Sequence, residues 1–210
     1  MLLSMIFIIA LGGSAGLAKI YDTWATALDT SALQHVVSDQ TLYWPLADQR
    51  TERTMELWFA PPNRFRVVYS KPDSQIVIAD GSRIWTIVPQ NEQVLFQDQD
   101  PTLSWRDTPL GELLSTDAKQ CSCDSSLIDD SGGGELIIAC SDFGTESPWV
   151  SIKLHVVDGE VWPSRAVLTD ISENVTIYAI RSWEELPEET MNDSLFTCQI
   201  PSGYDVVSVE

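Results

Sequence analysis

Basic side chains are scarce in this sequence. Twelve Lys and Arg stand against 31 Asp and Glu, a formal charge of -19. Nucleic-acid binding and tight adsorption to an anionic bilayer both draw on a basic surface, so neither is expected here. Histidine is scarcer still, with only His35 and His155. His35 falls near the end of a predicted first helix, and His155 beside Lys153 on the polar side of a predicted strand; neither is placed as a catalytic base. Phosphate-cradling glycine loops are missing, and no two of the many acids are fixed across a cleft as a glycosidase pair would be. Glu184, Glu185, Glu188 and Glu189 around Pro187 read as a solvated loop. No catalytic residue and no cofactor is expected.

Cysteine is limited to Cys121, Cys123, Cys140 and Cys198. That is too few for a disulfide scaffold that replaces a core, and Cys-Ser-Cys followed by single distant cysteines lacks zinc-site spacing, so no metal is expected. A Cys121–Cys123 bridge is geometrically awkward. Cys140 with Cys198, or the two crossed pairings, remain, and at least one bridge using Cys140 or Cys198 is expected.

Long apolar runs are absent except at the start, where Met1 to Ala18 carries no charge and the apolar stretch ends at Leu11. A membrane span needs about 20 such residues. The segment reads instead as an export signal, residues 1–18, cut after Ala18. Lys19 stands where a lipid-bearing cysteine would, so the mature product is expected to be unlipidated. The rest, 19–210, is one domain of ordinary size.

Within that domain, Tyr21, Trp24, Leu28, Ala32 and Val36 recur at helical spacing and predict a helix from Tyr21 to Val36. From Thr41 to Phe96 the vocabulary turns to strands: Leu42–Ala47, Met55–Ala60, Phe65–Tyr69, Gln75–Ala79, Ile84–Val88 and Gln93–Phe96, divided by Pro, Gly, Asp and Asn. Asp80-Gly81 supplies one tight turn and Asp158-Gly159 another. Thr108-Pro109 with Leu110, Leu113 and Leu114 predicts a short capped helix. Further strands are expected at Glu135–Cys140, Trp149–Val157, Val161–Thr169, Asn174–Ile180, Phe196–Ile200 and Asp205–Val209. Turns this short leave no room for crossover helices, so the sheet should be antiparallel, strongly curved, with helices on its concave face. Eight tryptophans are many for this length. They suit either a core of large side chains or an apolar ligand cavity.

The run Phe59-Ala60-Pro61-Pro62-Asn63-Arg64-Phe65-Arg66, then Tyr69-Ser70-Lys71-Pro72, Gln75-Ile76-Val77-Ile78-Ala79-Asp80-Gly81, Ile84-Trp85 and Glu92-Gln93-Val94 resembles the core of the LolA family of periplasmic lipoprotein carriers. The ending Pro201-Ser202-Gly203-Tyr204-Asp205-Val206-Val207 and the mid-chain Thr108–Leu114 segment agree. The resemblance implies a mainly β fold with α: an unclosed, strongly curved antiparallel barrel with a helical lid over an apolar cavity. It implies a monomeric, non-enzymatic periplasmic chaperone whose partners are acylated lipoproteins, an inner-membrane lipoprotein-releasing transporter and an outer-membrane receptor. By match to the motif, Phe65 and Val67 line the cavity; Trp58 and Trp85 are further wall candidates, and Trp24, Leu28, Leu110, Leu113 and Leu114 belong to the lid. Pro61 departs from the pattern, since members commonly carry there an arginine that bonds to the lid. Two other readings compete: a carrier or sensor of free lipid in the same fold, and a secreted hydrolase with an unrecognised acidic pair.

Overall fold

The computed structural model describes residues 33–70, 72–104, 122–124, 134–140, 149–157, 160–170 and 172–209, together with Thr26, Leu28, Arg106, Thr108 and Gly111. The export segment, Trp24, Leu110, Leu113, Leu114 and the Asp158-Gly159 turn lie outside them. Among the described residues twelve strands build one sheet: β1 (Leu33–Trp44), β2 (Gln49–Ala60), β3 (Arg64–Tyr69), β4 (Gln75–Ala79), β5 (Arg83–Val88), β6 (Gln93–Asp98), β7 (Ser122–Asp124), β8 (Gly134–Cys140), β9 (Trp149–Val157), β10 (Glu160–Thr169), β11 (Val175–Leu186) and β12 (Asp205–Ser208). Their order is β12-β6-β5-β4-β3-β2-β1-β11-β10-β9-β8-β7, so the sheet is open between β12 and β7. Successive strands hairpin together from β1 to β6 and from β7 to β11, and β1 closes onto β11, all antiparallel. Of these strands only β12 departs from the antiparallel expectation, pairing parallel to β6.

The β4–β5 turn forms as its residues dictate. Gly81 takes φ +99, and the Asp80 carboxylate accepts from the Ser82 and Arg83 backbone N–H groups, both at 2.8 Å, and from the Trp85 indole at 2.8 Å. Partial burial works to raise the Asp80 pKa, but these hydrogen bonds together outweigh it and hold the carboxyl below its ordinary range. The turn, not catalysis, explains this acid.

Two predicted elements are corrected. The helix predicted over Tyr21–Val36 is helical at Thr26 and Leu28, but Leu33 to Val36, with His35, belong to β1. The reason is pairing: β1 is laddered on both sides, by β2 and β11, and backbone bonds along two neighbours outweigh a weak helical periodicity. The strand expected at Phe196–Ile200 is instead the end of a 3-10 turn, Asp193–Phe196, followed by unpaired chain. Asn192 caps that turn, its side-chain oxygen accepting from Ser194 N–H at 3.0 Å. Two smaller boundaries also move: β11 runs on through Glu184 and Glu185 to Leu186, and Leu42–Trp44 form the end of β1. The capped segment at Thr108 keeps its signature, with the Thr108 hydroxyl accepting from Gly111 N–H at 3.0 Å.

Candidate ligand-binding site

Alternation on β2 and β3 sends Met55, Leu57 and Phe59, and Phe65, Val67 and Tyr69, to one face, where all are buried. The ladder sets them side by side as Phe59 with Phe65, Leu57 with Val67 and Met55 with Tyr69. Val36 of β1 extends the Leu57 row, and Trp183 of β11 extends it again. Val77 of β4 continues it beyond Val67. The result is a continuous apolar face across five strands, on which each fully buried aliphatic or aromatic side chain is worth about 1.5–3 kcal/mol.

Polar side chains frame this face at both ends. At one end Trp183 Nε1 donates to Gln34 Oε1 at 2.9 Å, and the Trp183 ring meets Phe59 edge-on with centroids 6.1 Å apart. At the other, Arg53 Nε donates to Gln40 Oε1 at 2.5 Å, Gln40 Nε2 donates to the Tyr178 hydroxyl at 2.7 Å, and the Arg53 guanidinium lies 3.9 Å from the Tyr69 ring centre. Gln34, Gln40 and Tyr178 are buried, so these bonds satisfy groups that would otherwise be costly to desolvate. Burial raises the Tyr69 pKa, with Arg53 pulling the other way. Between the two ends, the buried Ser38 hydroxyl has no hydrogen-bond partner among the described residues.

The opposite face is built differently. His35, Trp58, Arg66, Ile78, Trp85 and Phe96 follow one another across the ladder. Leu33, Ala60, Ile78 and Phe196 form its buried cluster, joined by Trp58, Trp85, Met191, Leu195 and Cys198. His35 stacks on Trp58 with centroids 4.7 Å apart. Arginines latch the covering segment: Arg64 Nη1 donates to Asp193 at 3.4 Å, Arg64 Nη2 lies 3.2 Å from Met191 Sδ, and Arg66 Nη1 donates to the Leu195 carbonyl at 3.4 Å.

The four wall candidates are therefore divided. Phe65 and Val67 share the apolar face; Trp58 and Trp85 stand on the opposite one, beneath the 191–198 segment. Both faces carry buried apolar side chains, and tryptophan content alone does not tell them apart. Leu28 is buried. Pro61 lies in the β2–β3 turn, and Arg64 and Arg66 point away from Phe65, as strand alternation requires. The Cys140–Cys198 bridge is not formed. Cys198 is a free thiol, its pKa pushed up by burial against the pull of Arg66 and with the help of Asp80. It sits by β3 and β4, whereas Cys140 ends β8, with β2, β1, β11, β10 and β9 between β3 and β8 in the sheet order. Several residues of the apolar face were legible only as alternation, Leu57 and Phe59 among them; Gln40, Tyr178 and Trp183 gave no sequence signal as a group.

The profile of the family described as "Outer membrane lipoprotein carrier protein LolA" matches residues 39–199. The chain belongs to the LolA family. An outer-membrane lipoprotein carrier protein of Pseudomonas aeruginosa is 24% identical over 213 residues, 98% of each chain. One from Methylibium petroleiphilum is 34% identical over 55 residues, a match that spans 26% of this chain and 27% of that relative. Among solved structures, an uncharacterised conserved protein of Thermus thermophilus superposes with TM-score 0.53 at 13% identity, covering 91% of this chain and 98% of its own. The LolA fold, a single unclosed and largely antiparallel sheet, is the architecture described above.

Proposed function

We propose that this LolA-family protein is a periplasmic carrier that shelters the acyl chains of lipoproteins on the Phe65 face of its sheet. The reading rests above all on that face: an unbroken apolar surface crossing from Trp183 to Val77 on an open sheet, in a chain of the LolA family. Each methylene of an acyl chain left in water costs about 0.8 kcal/mol relative to burial, so a lipoprotein in transit needs such a surface. Release needs it to open again, which an unclosed sheet under a helical lid permits. In this reading residues 1–18 direct export, Leu28 with Trp24 belongs to one lid helix and Leu110, Leu113 and Leu114 to another, and Phe65 and Val67 touch the cargo. The carrier takes cargo from an inner-membrane releasing transporter, passes it to an outer-membrane receptor, works as a monomer, and makes or breaks no bond.

Displacement of an apolar dye from the purified mature protein tests this. A synthetic lipopeptide with diacylglyceryl cysteine should displace the dye at about one per protein, and the same peptide without its acyl chains should not. Equal behaviour of the two peptides would remove the acyl chains from recognition.

A further inference from the structure

We infer that the free end of the β1–β2 hairpin is a wedge that touches a zwitterionic phospholipid bilayer. The register leaves the end of the hairpin free. On one side β3 stops at Tyr69 opposite Met55; on the other β11 accompanies β1 as far as Tyr43, opposite Val175, so the tip from Trp44 to Asp48 lies beyond the last rung of both neighbours among the described strands. The tip is the unbroken apolar run Leu42-Tyr43-Trp44-Pro45-Leu46-Ala47. Its 3-10 turn, Pro45–Ala47, closes with Asp48 N–H donating to the Pro45 carbonyl at 3.2 Å. Leu46, at the apex, is 89% exposed and Tyr43 37%. A turn at the end of a projecting hairpin is ordinarily polar. Tyr, Trp and Leu together are instead the side chains that settle at a bilayer interface, with the aliphatic group entering the acyl region and the amphipathic rings at headgroup depth.

Charge around the tip selects the kind of bilayer. The molecule is strongly acidic, yet three of its few basic residues gather behind this hairpin, each matched. Arg50 pairs with Glu52, Arg181 binds Asp39 through two bonds of 2.5 and 2.6 Å, and Arg53 is bound to Gln40. A cavity of about 450 Å³ opens there, lined by Asp39, Glu52, Arg53, Ser70 and Arg181 among others. The Asp39 and Glu52 carboxylates and the Arg181 guanidinium at this opening complement a headgroup that carries both an ammonium and a phosphate. The net charge of -19 repels an anionic membrane, whereas the charges behind this hairpin are matched among themselves. This contact is distinct from cargo binding and is tested on protein without cargo.

The test uses the mature chain with vesicles of phosphatidylcholine bearing brominated acyl chains, which quench tryptophan in contact with them. Wild type should be quenched, and the part of the quenching removed by Trp44→Phe reports the tip. Leu46→Glu, at a site open to solvent and so without consequence for folding, should require about tenfold more lipid for the same effect. Val207→Glu, which alters an exposed apolar residue (42%) on β12, should leave the lipid dependence unchanged. Absence of quenching in wild type overturns the inference, as does identical lipid dependence of wild type and Leu46→Glu, since a lipid drawn onto the Phe65 face would quench regardless of Leu46. Quenching undiminished in Trp44→Phe places the contact elsewhere, and equal binding to phosphatidylglycerol vesicles overturns the headgroup assignment.

Discussion

Phe65→Asp is expected to weaken binding of a diacylated lipopeptide by at least about tenfold while leaving β-sheet circular dichroism in place. Phe65 sits in the end row of the apolar face, beside Phe59 on one strand and Ala79 on the next. A carboxylate there faces acyl chains with no cation aimed at it: Arg64 and Arg66, its sequence neighbours, are engaged on the other side of the sheet with Asp193 and Leu195. Cargo binding would then bury an unpaired charge, which costs far more than the lost phenyl contact. Should the charged variant fold poorly, Phe65→Ala carries the same test with a smaller effect, since it removes contact area without adding charge. Unchanged affinity in either folded variant would take Phe65 out of the ligand wall.

Phe59→Ala is expected to lose about 3–5 kcal/mol of stability in urea denaturation, the usual cost of emptying a fully buried aromatic site. Phe59 is buried between Gln34 of β1 and Phe65 of β3 and holds the edge of Trp183. Because Trp183 in turn donates to Gln34, truncation loosens the polar frame at that end as well as the packing. A loss under about 1 kcal/mol would mean that the ring faces open space, as a wall residue of an empty cavity does, rather than a packed layer. The two substitutions therefore separate the supporting part of the face from the part reserved for cargo.

Much of the sheet could be read from the residues alone. Between Met55 and Phe96 the alternation of apolar side chains and the Asp80-Gly81 turn locate β3 to β6 almost to the residue, because short hairpins carry their register in local chemistry. β1 was not legible at its start. Its buried side holds Gln34, Ser38 and Gln40, polar residues made tolerable in two of three cases by partners on β2 and β11 that no local pattern announces. With polar groups inside, the expected alternation is masked, and Ala32 and Val36 pass for a continuing helix. Trp58 and Trp85 read as wall candidates in the sequence for a related reason. The 191–198 segment folds back over their face, a contact made across more than a hundred residues of chain, so their environment depends on topology and not on strand period. The same fold-back decides the surroundings of Cys198, whose neighbours are Arg66, Asp80 and the Ile78 cluster. Arg53, stacked on Tyr69 and bound to Gln40, shows the limit most plainly: in the sequence it is one more charge in an exposed-looking stretch.

Native mass spectrometry of the protein purified from its own cells, without detergent, examines the central claim most directly. The account predicts a population whose mass exceeds the mature chain by that of one acylated lipoprotein, lost on Phe65→Asp substitution. A bound species that proves to be free phospholipid or fatty acid alone, equally abundant in the variant, would contradict it.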